Sequence, residues 1–115
     1  MSLDSIMRQK SLHFAQRIVR FYQYMVKEHH ETVMSRQILR SGTSIGANIS
    51  EGIYGSSKKD FANKLHIALK EASETAYWLE LFHTCGYLPD NLFRSLSRDC
   101  DELRRMLSAT VKNCQ

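Results

Sequence analysis

Four basic side chains near the C-terminus are the residues best suited by type and spacing to bind a polyanion. Arg94, Arg98, Arg105 and Lys112 follow one another at intervals of four and seven residues, so in a helix they share one face. Cationic groups in such a row can contact the phosphates of a nucleic acid. The row is therefore a candidate nucleic-acid contact.

Acidic neighbours leave a second interpretation of this row open. Asp101 and Glu102 interrupt it, and Asp101 lies four residues before Arg105, the spacing of a favourable helical ion pair. On this interpretation the row is a solvated, salt-bridged surface. The same two alternatives apply to Lys58 and Lys59 at a predicted helix start, where a phosphate can also bind free backbone N–H groups.

The sequence lacks the motifs of catalytic and metal chemistry. The segment GTSIGAN has no Lys-Ser/Thr ending of a phosphate-binding loop, and neither HExxH nor the Glu-x-x-His pairs of di-iron bundles occur. His13, His66 and His83 have no matched carboxylates in the pattern, and the pair His29-His30 has no third ligand at a telling spacing. We expect no enzymatic activity, no metal and no cofactor.

Composition favours one small domain in a reducing compartment. The chain has 115 residues, a net charge of +4 and three cysteines without CxxC spacing. This length suits one domain, and the mild basicity permits a nucleic-acid partner without demanding one. The odd cysteine count argues against a disulfide framework. Because there is no signal-like or membrane-spanning apolar run, we expect a cytoplasmic protein without a membrane role.

A helical segment rich in small residues, from Gln37 to Gly55, organises the predicted fold. Gly42, Gly46 and Ser50 recur every fourth residue, which predicts that a neighbouring backbone packs very close. Polar residues border this apolar face: Ser41, Ser44, Asn48 and Glu51. They either satisfy hydrogen bonds at the edge of a packed core, or Asn48 and Glu51 serve a ligand or partner.

Apolar periodicity predicts four helices, over about 5–28, 33–53, 58–85 and 91–111. Short turns between them predict an all-α, antiparallel up-down-up-down four-helix bundle in a single domain over 1–115. The predicted core stripes are Phe14, Ile18, Tyr22 and Met25 in the first helix; Phe61, Leu65, Ala68, Ala72, Ala76, Leu79 and Phe82 in the third; and Leu92, Phe93, Leu96, Cys100, Leu103, Leu107 and Val111 in the fourth.

The third predicted helix has a second apolar set on its opposite side. The members of this set point away from the core stripe; they are Ile67, Trp78, Leu81 and Cys85. A helix with two apolar stripes needs a second surface against which the second stripe can be buried. We interpret this set as a homo-oligomer interface centred on Trp78 and Leu81. The alternative is that the fourth helix or a loop covers it.

The segment RSGTSIGANISEG, followed by SSKKDF and later by GYL, resembles a known family. The family is the bacterial four-helix bundles labelled S23 or 23S rRNA intervening-sequence proteins, and the likeness covers Phe14 to about Leu107. Its motif residues here are Arg40, Ser41, Ser44, Gly46, Asn48, Glu51 and Gly52. The resemblance implies the same bundle fold.

The resemblance also implies two functional hypotheses. Genes of this family commonly lie inside insertions in the large-subunit ribosomal RNA gene, which suggests association with RNA or ribosomes. The fold further resembles accessory proteins of diversity-generating retroelements, which form pentameric rings and bind a reverse transcriptase and nucleic acid. That likeness implies a homo-oligomeric ring, and an alternative role as a protein–protein adaptor or scaffold without direct nucleic-acid binding.

Overall fold

Four antiparallel helices make up the computed structural model, which describes residues 1–114. They are α1 (Leu3–His29), α2 (Val33–Ile53), α3 (Lys58–Thr84) and α4 (Asp90–Asn113). Their short connections place successive helices side by side and give an elongated bundle of 44 × 23 × 21 Å. The predicted all-α four-helix bundle is confirmed, and each helix end lies within two residues of its predicted position.

The core residues follow a heptad spacing in which steps of three and four residues alternate. They are Met7, Ser11, Phe14, Ile18, Phe21 and Met25 in α1; Leu65, Ala68, Ala72, Thr75, Leu79 and Phe82 in α3; and Leu96, Cys100, Leu103, Leu107 and Thr110 in α4. Alternating steps keep a stripe turned toward its neighbours over the whole helix length. This spacing closes the bundle around one continuous core.

Three predicted core positions were wrong by one residue. Phe21 is buried instead of Tyr22, Thr75 instead of Ala76, and Thr110 instead of Val111. Repeated steps of four drift around the helix by about 40° each, so Tyr22 leaves the core face that Phe21 occupies. The Thr75 hydroxyl tolerates burial because it donates to the Glu71 carbonyl oxygen at 2.8 Å.

The small residues of α2 bring its backbone close to α1, as the sequence predicts. A Cβ added at Gly42 would lie 2.9 Å from both Cγ atoms of Ile18. One added at Gly46 would lie 3.1 Å from the Ser11 hydroxyl oxygen. Gly52 lies inside α2, where an added Cβ would be 3.1 Å from the Lys64 Cβ of α3. Gly52 is thus a packing residue in the last turn of α2.

The helix ends are capped by different groups. Ser57 accepts a hydrogen bond from the Asp60 backbone N–H at 3.0 Å, and Gly86 ends the α3 turn with a φ of +86°. At the start of α2, the carboxylate of Glu31 accepts hydrogen bonds from three successive backbone N–H groups. Pro89 directly precedes the first residue of α4.

Candidate nucleic-acid interface

The predicted basic row forms a straight stripe on the outer face of α4. Arg94, Arg98, Arg105 and Lys112 are all exposed and lie on the heptad positions that face away from the core. At 1.5 Å per residue the stripe is about 27 Å long. Arg94, Arg98 and Arg105 line one surface groove of about 340 Å³ together with Phe93, Ser97 and Asp101. The structure therefore brings three of the predicted contacts into one site.

The charges of this stripe are less neutralised than the sequence predicts. Asp101 pairs with Arg104 at 3.3 Å, three residues on, so the expected pair with Arg105 is wrong. Within residues 1–114, no carboxylate oxygen lies within 4.0 Å of the guanidinium groups of Arg98 or Arg105. Residues three and four positions apart are both neighbours on a helix surface. Asp101 contacts the residue three positions on, Arg104. Arg98 and Arg105 thus remain available to an anion.

Lys58 and Lys59 lie at the same end of the bundle as Lys112. They begin α3, which runs antiparallel to α4, and their side chains are exposed. The Asp60 backbone N–H is already bonded to Ser57. The helix start therefore offers fewer free N–H groups to a phosphate than the sequence suggests, and any contribution here comes mainly from the two lysine charges.

The motif residues of α2 hold the helices together. Arg40 binds Glu71 at 2.9 Å and also binds Glu74, and hydrogen bonding to Glu74 is the main reason that the pKa of Arg40 is raised. Ser41 lies 2.9 Å from the Thr75 hydroxyl oxygen in the buried α2–α3 contact. These contacts place the first half of the motif at an interhelical junction.

The remaining polar motif residues also have local partners. Ser44 donates to the Arg40 carbonyl oxygen at 2.6 Å, and Asn48 donates to the Ser44 carbonyl oxygen at 2.8 Å. The exposed carboxylate of Glu51 lies 3.6 Å from the Lys64 ammonium group. These bonds favour the interpretation in which the motif packs helices over the one in which Asn48 and Glu51 serve a ligand.

The candidate oligomer interface lies at the α2 side of α3 and is partly packed within one chain. Trp78 contacts the core, and its indole N–H donates to Glu74 at 2.9 Å. This bond is the largest cause of the lowered pKa of Glu74, followed by the bond from Arg40. Ile67 and Cys85 are exposed, and Leu81 is half-buried. Packing within the chain therefore accounts for part of the second stripe, and its oligomeric role stays a prediction.

Two further features lie near these sites, and only the second of them was missed from the sequence. Tyr77 is 57% exposed and packs edge-on against Trp78, which extends the apolar surface of α3. His83 does have a carboxylate partner, contrary to expectation: its Nε2 lies 2.6 Å from Asp90, and its ring stacks on Phe93. The hydrogen bond from His83 is the main cause of the lowered pKa of Asp90. His83 and Asp90 lie on opposite sides of the turn between α3 and α4, so no spacing within one helix predicts their contact.

The part of the chain that the structure describes contains no cluster of three or more His, Cys, Asp or Glu side chains able to hold a metal ion. Cys100 is buried, as predicted, and burial raises the pKa of its thiol to about 12. Over residues 1–114, none of the helices has the length and apolar character needed to cross a membrane.

Comparison with known proteins supports the resemblance. The family model described as 23S rRNA-intervening sequence protein matches residues 4–109. A crystal structure of a Bacteroides thetaiotaomicron protein of unknown function from the S23 ribosomal protein family is 50% identical. The match covers 96% of this chain and 99% of the Bacteroides chain, and the TM-score between the two structures is 0.94. No curated protein matches. With the bundle fold and the motif of α2, these matches show that the chain belongs to the 23S rRNA-intervening sequence protein family.

Proposed function

We propose that this protein is a non-enzymatic RNA-binding bundle whose α4 stripe contacts RNA phosphates. The observation that carries the proposal is the alignment of Arg94, Arg98, Arg105 and Lys112 on one exposed helix face. The absence of carboxylate partners for Arg98 and Arg105 among residues 1–114 adds to it, as does the net charge of +4. Ribosomal RNA or the ribosome is the proposed partner class.

Phosphate contact through this stripe gives affinity without base recognition. Arginine and lysine contacts to phosphates carry no sequence information by themselves, and the stripe presents few aromatic side chains on which bases can stack. We therefore expect binding that depends on charge and RNA shape. The cytoplasm is the proposed location because ribosomal RNA is there.

Assembly into a ring would strengthen the weak positive electrostatic field of a single chain. We propose a homo-oligomer in which exposed apolar residues of α3, chiefly Ile67 and Tyr77, meet a second copy. By resemblance to ring-forming retroelement accessory proteins, the proposed ring is a pentamer. Five chains of charge +4 would together carry +20, a field strong enough to attract RNA over several ångströms at physiological salt.

A second candidate function follows from the same apolar surface. If the exposed Ile67 and Tyr77 bind a different protein, the chain is an adaptor or scaffold with no direct nucleic-acid role. The specific observation favouring this alternative is that Tyr77 is more than half exposed although it is a large aromatic side chain. A measurement of RNA binding distinguishes the two functions, because the adaptor role does not require it.

The test compares two variants of equal charge. Arg94→Gln/Arg98→Gln/Arg105→Gln removes three charges from the stripe. Its matched control, Arg8→Gln/Lys27→Gln/Arg36→Gln, removes three exposed charges from α1 and α2. Binding of a fluorescein-labelled RNA hairpin is measured by anisotropy at one salt concentration. We expect at least a tenfold loss of affinity in the stripe variant and a much smaller loss in the control, because only the stripe contacts phosphates. Equal losses would contradict the assignment, and no RNA binding by the wild type would favour the adaptor.

A further inference from the structure

A groove between α1 and α4 is used by neither the motif nor the basic stripe. α1 and α4 are the least closely packed pair of adjacent helices. Lys10 pairs with Glu102 at 3.0 Å and Arg17 with Asp99 at 2.6 Å, which holds one half of this seam together. Beyond Arg17, toward the end of α1, the helices leave a groove of about 430 Å³.

The lining of this groove is almost entirely apolar. Phe21 comes from α1, Leu92 and Leu96 come from α4, and Tyr24 and Tyr87 lie at its outer end. The volume falls within the range of about 300–1,000 Å³ that is typical of small-molecule sites. Such sites combine an apolar lining with a few polar groups that orient the ligand.

The charged groups of the groove are both arginines. Arg17 is already bound, because its guanidinium donates to Asp99 and also to the Ser95 hydroxyl oxygen at 2.8 Å. Arg20 is exposed, and within residues 1–114 it has no carboxylate oxygen within 4.0 Å. Among residues 1–114, no Asp or Glu side chain lines the groove. An uncompensated positive charge at the edge of an apolar surface attracts an anion and disfavours a cation.

We propose that this groove binds a small amphiphilic organic anion, such as an aliphatic or aromatic carboxylate. Its apolar body lies against Phe21, Leu92 and Leu96, and its anionic group contacts the guanidinium of Arg20. The charge complementarity comes from Arg20, since the charge of Arg17 is neutralised by Asp99. The lining offers few hydrogen-bonding groups to the edges of a nucleobase, so the site is distinct from the proposed RNA contact.

The test uses two fluorescent probes that differ in charge. 8-Anilinonaphthalene-1-sulfonate is an anion, and N-phenyl-1-naphthylamine is its neutral counterpart. We expect both to bind the wild-type protein, and decanoate to displace the anionic probe. Arg20→Gln should weaken the anionic probe by about tenfold, the scale of one hydrogen bond to a charged group, and leave the neutral probe unchanged. Arg36→Gln removes an exposed arginine of α2 and should change neither affinity.

A second variant tests the location independently of charge. Leu92→Trp fills the groove and should abolish binding of both probes, with the helical circular dichroism of the wild type retained. Equal loss of the anionic probe in Arg20→Gln and Arg36→Gln would overturn the proposal, as would unchanged binding to a folded Leu92→Trp variant. If the wild-type protein binds neither probe and Leu92→Trp has a smaller mass by light scattering, a second copy covers the groove and the proposal is also overturned.

Discussion

Replacing Gly42 by alanine tests the close contact between α1 and α2 that organises the bundle. The added Cβ would lie 2.9 Å from both the Cγ1 and the Cγ2 of Ile18, and 3.3 Å from its Cβ. Ile18 is fully buried and branched at Cβ, so rotation about χ1 cannot move both Cγ atoms away from the added Cβ. The two helices must move apart or the side chain must leave its rotamer.

The expected magnitude is the difference between two opposing effects. Overpacking of a well-packed core costs about 1–3 kcal/mol. Alanine is a better helix former than glycine by about 0.5–1 kcal/mol. Because Ile18 offers no flexible end that can yield, we expect overpacking to dominate. Gly42→Ala should lower the free energy of unfolding by about 1–2 kcal/mol.

A double-mutant cycle with Ile18→Ala separates the contact from the change in helix propensity. Ile18→Ala alone should cost about 2–5 kcal/mol because it leaves a cavity. In that background Gly42→Ala should instead stabilise the protein by about 0.5–1 kcal/mol, since the two Cγ atoms that clash with the added Cβ are gone. Urea unfolding followed by circular dichroism measures all four proteins, provided that their m-values agree.

Gly46→Ala provides a milder comparison on the same helix. Its added Cβ would meet the Ser11 hydroxyl at 3.1 Å, the end of a small side chain that can rotate. We expect a smaller change than at Gly42. If Gly42→Ala stabilises the protein with Ile18 present, the two helices are not as close as described and the packing role of the α2 motif is refuted.

Three other substitutions test particular contacts. Glu31→Gln should destabilise the protein by about 0.5–2 kcal/mol at pH 7. Burial alone would raise the pKa of Glu31, but bonds from the Ser35 hydroxyl and three backbone N–H groups lower it below 4.5. The stability difference should therefore be present above pH 4.5 and shrink as the pH falls through the folded-state pKa; a difference independent of pH would contradict the cap. Thr75→Val should cost about 1–3 kcal/mol by removing a partner of the buried Ser41 hydroxyl, and adding Ser41→Ala should restore part of that loss in urea unfolding; additive costs would mean that the bond contributes nothing. Ile67→Glu should reduce the mass measured by light scattering while helicity is kept, and an unchanged oligomer would exclude this part of α3 from the interface.

Helix positions were predictable because each helix has a long apolar period and a short turn at its end. The bounds of α2 coincide with those expected, and the glycine spacing alone indicates its close packing. Individual core positions were less certain. Ala76 and Thr75 differ little in their fit to a periodic pattern, and only the partner Ser41 on α2 makes the threonine suitable for burial.

Contacts between distant parts of the chain explain what the sequence left undetermined. The cap by Glu31 depends on a loop conformation, and the His83–Asp90 pair depends on the left-handed Gly86 between them. The groove beside Arg20 exists because α1 and α4 separate beyond Arg17. The direction of the basic stripe was predictable from spacing alone, but the choice of Arg104 over Arg105 by Asp101 was not.

The salt dependence of RNA binding tests the central proposal most directly. Affinity for the labelled RNA hairpin is measured between about 50 and 200 mM salt for the wild type and for Arg94→Gln/Arg98→Gln/Arg105→Gln. Each phosphate contact contributes about 0.7–0.9 to the slope of log affinity against log salt. We predict that the variant's slope is shallower by about 2–3. Equal slopes for the two proteins would show that the α4 stripe does not contact RNA phosphates.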